Sequence, residues 1–230
     1  MRTAFFIVGY REMGGETMKN WVKAVGCTAL IIGLLGTTMT DTVVAKSDYI
    51  AGQKLPKKPT IIDGIILVNK ETPLPSSYAP GESDKARAAY TRWNKAAKKA
   101  GYRFEAFSTY RSYARQKTLY NNYVAKDGRK AADRYSARPG FSEHQTGLAF
   151  DIGEMKRPSE YASTRFSERA AGKWAAKTAH RYGFIMRYPK GKEKVTGYMY
   201  EPWHFRYVGK TAATKIYKEK LTLEAYLKEK

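Results

Sequence analysis

Ser142-Glu143-His144-Gln145-Thr146-Gly147-Leu148-Ala149-Phe150-Asp151 and, further along, Glu201-Pro202-Trp203-His204-Phe205-Arg206-Tyr207 are the stretches on which the reading of this chain turns. They hold two of its three histidines. Histidine and carboxylate are ligands that zinc accepts, and a catalytic zinc takes three of them with one position left open. His144, Asp151 and His204 supply such a set. Seven extended residues span about 23 Å, far too long for two ligands of one ion, so the chain between His144 and Asp151 must fold back. Gln145-Thr146-Gly147 offers the turn, with Gly147 free to take positive φ. Leu148 to Asp151 then reads as a strand, with Leu148 and Phe150 on one face and Ala149 and Asp151 on the other. In the second stretch Trp203, Phe205 and Tyr207 alternate with His204 and Arg206, so the aromatics bury and His204 faces the opposite side. Pro202 bends the chain ahead of this strand and frees Glu201 from the alternation, as a carboxylate beside a metal site and available as a general base. His180, on a helix, reads as an ordinary surface or core histidine.

Around these stretches, helices and strands mix without a βαβ rhythm. Ser83 caps a helix from Asp84 to about Ala100, with Ala86, Ala89, Tyr90, Trp93, Ala96 and Ala97 at helical spacing and Gly101 as the stop. Phe104 to Ser108 reads as a strand, Ser112 to Ala125 as a second helix, and Phe166 to Tyr182 as a third, ended by Gly183. Phe184 to Arg187 and Trp203 to Val208 are strand candidates, and the tail from Thr211 is helical. Ile61-Ile62 and Ile65 to Val68 form the first ordered segment, a strand. Lys46 to Pro59 is polar, and residues 46–60 read as a linker. The pattern favours an α+β fold, an antiparallel sheet flanked by helices.

The chain has 230 residues, 43% of them hydrophobic, enough for one domain with a real core. Its 42 Lys and Arg against 21 Asp and Glu favour anionic partners such as wall polymers. No zinc-finger spacing or other DNA-binding signature accompanies the charge, so nucleic acid is not expected. Ala24 to Met39 is an apolar run without charge, preceded by Lys19 and Lys23 and followed by Val43-Val44-Ala45. That order describes a secretory signal peptide over residues 1–45. Translation from Met18 would give it a more ordinary length, and an uncleaved membrane anchor is the alternative. Cys27, the single cysteine, precedes the bulk of the apolar run, which argues against a lipoprotein; an exported chain starting at Lys46 carries no cysteine. The expected location is secreted or wall-associated, and the expected state a monomer.

The two stretches resemble the paired signatures of VanY-type D-alanyl-D-alanine carboxypeptidases, S-x-H-x-x-G-x-A-x-D and E-x-W-H-x-R-Y. These are zinc metallopeptidases of a superfamily that includes lysostaphin-type enzymes and the hedgehog signalling domain. Ser108-Thr109-Tyr110-Arg111-Ser112-Tyr113 with Gln116 resembles a third signature, S-x-Y-R-S-x-x-x-Q. Ile66 to Lys70 followed by Pro73-Leu74-Pro75 resembles the usual domain opening. The likeness runs from Ile61 to Val208 in consistent order, and the domain is placed at 61–230. It implies a hedgehog/D,D-peptidase-like fold with zinc held by His144, Asp151 and His204, and Glu201 as the base. It also implies a substrate-holding Arg111, which grips either the terminal carboxylate or the developing oxyanion. Gln116 and Ser142 are candidate polar contacts to substrate. The implied reaction removes the C-terminal D-Ala from peptidoglycan stem peptides with metal-activated water. An L,D-carboxypeptidase or a peptidoglycan endopeptidase of the same fold is the nearest alternative. A non-catalytic zinc-bearing module is disfavoured by the presence of Glu201.

Overall fold

A computed structural model describes residues 48–228; the segment read as an export signal lies outside them. Asp63 and Gly64 both take positive φ, 49° and 73°, the geometry of a type I′ hairpin turn. The first ordered strand is therefore two short antiparallel ones, β1 (Ile61–Ile62) and β2 (Ile65–Ile66). Order also starts earlier than a linker over 46–60 allows. Tyr49 packs edge-on against Phe141 at 5.1 Å, its hydroxyl accepts from Arg138 N at 2.9 Å, and the Arg138 guanidinium lies 3.9 Å from its ring centre. Buried aromatic surface outweighs the polar character of the neighbouring residues, so this stretch is part of the folded body.

Helix α1 (Asp84–Lys99) begins where Ser83 Oγ accepts from Ala86 N at 3.3 Å, and it buries Ala86, Ala89, Tyr90, Trp93 and Ala97. Strand β3 (Phe104–Ser108) leads to α2 (Tyr113–Asp127), capped by Ser112. Gly128, at φ 78°, ends α2 and opens α3 (Arg129–Tyr135), a helix the sequence reading did not contain. A 3₁₀ turn over Glu143–Thr146 then delivers the chain to β4 (Ala149–Glu154). The expected single helix over 166–182 is broken into α4 (Arg165–Glu168), α5 (Ala170–Thr178) and a 3₁₀ turn over Ala179–Tyr182. Arg169 is extended at the break, and Phe166 folds so close under Gly172 that a Cβ there would lie 1.9 Å from its carbonyl oxygen. Burying Phe166 in the core therefore overrides helical continuity. Strand β5 (Phe184–Met186), the short α6 (Glu193–Thr196), β6 (His204–Tyr207), α7 (Lys210–Glu219) and α8 (Leu223–Lys228) complete the described chain. No helix among the described residues is long and apolar enough to cross a membrane.

The main sheet has the order β3-β4-β6-β5, with every pair antiparallel. Alternation gives it two distinct faces. Phe104, Phe150, Ile152, Phe184 and Phe205 point to the α1 side, where fully buried Trp93 meets Phe205, Phe184 and Phe104 with ring centres 5.0, 5.5 and 5.9 Å apart. The Trp93 indole N–H donates to Thr178 Oγ1 at 3.0 Å, which ties α1 to α5. Truncating such a side chain costs about 3–5 kcal/mol. The other face carries Asp151, His204 and Arg206. A smaller cluster of Ile185, Ala213, Ile216, Leu223 and Leu227 packs α7 and α8 against β5.

Candidate metal centre and catalytic cavity

Register places the first two candidates together: Asp151 is the antiparallel partner of His204, and Ser108 is that of Asp151. The 3₁₀ turn brings the third. Gly147 sits at φ 70° and crosses so near Gly81 that a Cβ at 147 would lie 2.0 Å from the Gly81 oxygen. The chain folds back at this crossing, and His144 Nε2 comes 3.1 Å from Asp151 Oδ2 while His204 Nδ1 comes 3.0 Å from Asp151 Oδ1. One ligand atom from each of His144, Asp151 and His204 lies within 4.8 Å of the others, and all three residues are buried.

This donor set fits a zinc ion. His144 Nδ1 lies 2.6 Å from the Thr109 carbonyl. A carbonyl can only accept, so Nδ1 carries the proton and Nε2 turns a lone pair toward Asp151. Asp151 Oδ1 is buried with no hydrogen-bond donor. A lone pair and a carboxylate facing each other at 3.1 Å call for a cation between them. Burial works against a charged His204, yet Asp151 and Glu143 outweigh it and push its pKa up to about 9. Burial holds the His144 ring below its ordinary value. Asp151 stays ionised well below the carboxylate range because both histidines outweigh its desolvation.

Glu201 lies on the loop that enters β6, 8% exposed, with Oε2 3.7 Å from His204 Nδ1. Burial pushes its carboxyl up to about 8, against the pull of His204 and Arg111. Arg111 follows β3, and its Nη2 lies 3.9 Å from Asp151 Oδ2 and donates to Ser108 Oγ at 2.8 Å. Arg111, Ser142, His144, Asp151, Glu201 and His204 all line one cavity of ≈ 620 Å³, whose walls include Phe107, Tyr123, Tyr188, Tyr198 and Trp203.

Gln116 is not among the residues that line this cavity; it lies against Arg111. It is 1% exposed; its Oε1 accepts from Arg111 Nη1 at 2.8 Å, and its Nε2 donates to the Ala137 carbonyl at 2.6 Å. One bond at each end of the amide orients Gln116, so its carbonyl oxygen faces and holds Arg111. His180 is elsewhere, stacked on Tyr217 with ring centres 3.8 Å apart. The sequence reading missed Glu143. It is fully buried, accepts at Oε1 from Arg187 Nε at 2.8 Å and Arg206 Nη1 at 2.6 Å, and places Oε2 3.4 Å from His204 Nε2. The available signal was Arg206, two residues beyond His204 on the same strand face, where a guanidinium needs a buried anion.

Residues 82–210 match the sequence profile of the VanY family, described as D-alanyl-D-alanine carboxypeptidase. YodJ of Bacillus subtilis (strain 168), which carries a carboxypeptidase name, is 44% identical over 184 residues, 72% of this chain and 67% of its own length. The crystal structure of the L,D-carboxypeptidase DacB from Streptococcus pneumoniae is 48% identical with a TM-score of 0.64, covering 71% of this chain and 85% of that one. That of the D,D-pentapeptidase VanY from the VanB-type resistance cassette, an E175A mutant in complex with Zn(II), is 34% identical with a TM-score of 0.61, covering 70% of this chain and 97% of that one. The matched span takes in α1, the whole four-stranded sheet and every residue of the cavity named above, and the chain belongs to the VanY family of zinc-dependent D-alanyl-D-alanine carboxypeptidases.

Proposed function

We propose that this chain removes the C-terminal D-Ala from peptidoglycan stem peptides, with zinc held by His144, Asp151 and His204. One observation carries the reading: three convergent ligands, a buried carboxylate and a buried guanidinium open onto a single cavity. Bound zinc supplies a Lewis acid for the scissile carbonyl and makes an attacking water acidic near neutral pH. Glu201, buried at the cavity beside His204, takes the proton of that water and hands it to the leaving D-alanine amine. Arg111, held in place by Gln116 and Ser108, grips the substrate's terminal carboxylate. Ser142, at the cavity wall, offers a further polar contact.

A second reading, removal of the terminal residue from tetrapeptide stems by an L,D-carboxypeptidase, has its own support. Identity to DacB is 48%, against 34% to the D,D-pentapeptidase. Incubation with a muramyl pentapeptide and a tetrapeptide, followed by mass spectrometry, separates the two. Loss of one alanine from the pentapeptide alone supports the first reading, loss from the tetrapeptide alone supports the second, and loss from neither overturns both. Export through the segment 1–45 and attraction of the basic surface to anionic wall polymers would place the enzyme beside this substrate.

A further inference from the structure

His204 has two ring nitrogens and only one can face the metal. Which one does is set by the partner of the other. Nδ1 points to Asp151 Oδ1 at 3.0 Å, and Nε2 points to Glu143 Oε2 at 3.4 Å. Glu143 has no freedom to turn. Its other oxygen accepts from Arg187 and Arg206 at 2.8 and 2.6 Å, and the residue is 1% exposed. Each arginine is anchored in turn: Arg206 Nη2 donates to the Ile66 carbonyl at 2.6 Å, and Arg187 donates to both Glu224 oxygens at 2.9 and 2.5 Å. Two cations and two anions thus balance in the interior.

Burying four charges is costly and is a weak way to gain stability, since apolar residues of similar volume often serve as well. A network that nonetheless ends on a metal ligand has a positioning use. We propose that Glu143 is the positioning residue of His204: its carboxylate holds the Nε2 proton, and thereby commits Nδ1 to the metal. The arginines, with Glu224 behind Arg187, keep that carboxylate aimed.

The proposal rests on the zinc reading and is tested apart from it. In the zinc-loaded wild type, long-range proton–nitrogen NMR should show His204 protonated at Nε2; a proton on Nδ1 would overturn the proposal. Glu143→Met/Arg206→Met removes the acceptor together with one cation and leaves Arg187 paired with Glu224. Its zinc-free form should melt near wild type. By chelator competition its zinc affinity should fall about 10–100-fold, and its cobalt(II) absorption spectrum should change. Wild-type affinity and spectrum in a folded double variant would reduce Glu143 to a structural ion. Glu143→Gln, which keeps the shape and one acceptor oxygen, should bind zinc with an affinity between the two. Should the variants fail to fold, the tautomer in the wild type decides. Failure of the wild type itself to bind zinc would instead overturn the metal reading.

Discussion

Gln116 accepts a hydrogen bond from Arg111 at 2.8 Å, and each is tied a second time, Arg111 to Ser108 Oγ and Gln116 to the Ala137 carbonyl. A guanidinium that must meet a carboxylate at one angle gains from being held before the substrate arrives. Gln116→Leu keeps the volume and removes the acceptor. A hydrogen bond to a charged group contributes about 1.5–3 kcal/mol, so kcat/KM on a substrate with a free terminus should fall about tenfold or more. Arg111→Ala should fall further on the same substrate. Amidating that substrate's terminus should erase most of both differences. Equal losses on free and amidated peptides would move Arg111 from the carboxylate to the oxyanion.

Zinc content reads out the ligands directly. Purified protein should carry about one zinc per chain, and a chelator should abolish activity. His144→Ala, Asp151→Ala and His204→Ala should each lose the metal, because each removes one of three donors that meet within 4.8 Å. Full occupancy in all three variants, by elemental analysis, would sink the assignment.

Glu201→Gln separates base from ligand. The substitution preserves shape and removes the proton acceptor, so zinc content and melting temperature should stay near wild type. Loss of a general base costs about 10²–10⁴-fold in rate. Near-normal turnover of the preferred stem peptide would mean that another group takes the proton.

Acid should weaken the support of the loop that leads into Ser142. Asp133 accepts from Arg138 at 3.0 and 2.7 Å and from the Tyr120 hydroxyl at 2.6 Å. Burial alone would raise its carboxyl, but these partners lower it below its ordinary value. A depressed carboxylate contributes stability above its unfolded pKa of about 3.9 and loses it as pH falls through the folded value. Asp133→Asn should therefore melt below wild type at pH 7, and the gap should narrow below about pH 4. A gap independent of pH would mean that the ion pair contributes nothing.

Gly147→Ala should be among the most damaging single-methyl changes. The position has φ 70°, and the added Cβ would press on the Gly81 oxygen. Strain of this kind costs on the order of 3 kcal/mol. Circular dichroism melting should show a fall of about 10 °C, together with weakened zinc binding. An unchanged melt would show that the two backbones can part freely.

Much of this was written locally in the sequence. Ser83 and Ser112 mark their helices because a hydroxyl satisfies an orphan N–H within three residues. Phe150 and Phe205 fix their strands' buried face, and that parity alone sends Asp151 and His204 to the other side. The broken helix was not legible, because Phe166 is pulled inward by Phe104, a partner far away in the chain. Helix α3, mostly charged and burying only Ala132, carries no apolar stripe to announce itself. Glu143 stayed hidden for a similar reason, since its partners Arg187 and Arg206 lie 44 and 63 residues away and only the folded sheet brings them together.

The anchoring of Tyr49 changes where the enzyme should be taken to begin. A recombinant boundary drawn at Ile61, ahead of the first strand, would discard the ring that Phe141 and Arg138 pack against. It would also discard Leu55, whose side chain closes over Gly140. Every strand of the sheet would survive such trimming, while the approach to Ser142 and His144 would lose its outer brace. A shortened chain of that kind would be expected to look folded by its secondary structure and to bind metal poorly. Starting at or before Asp48 keeps the brace.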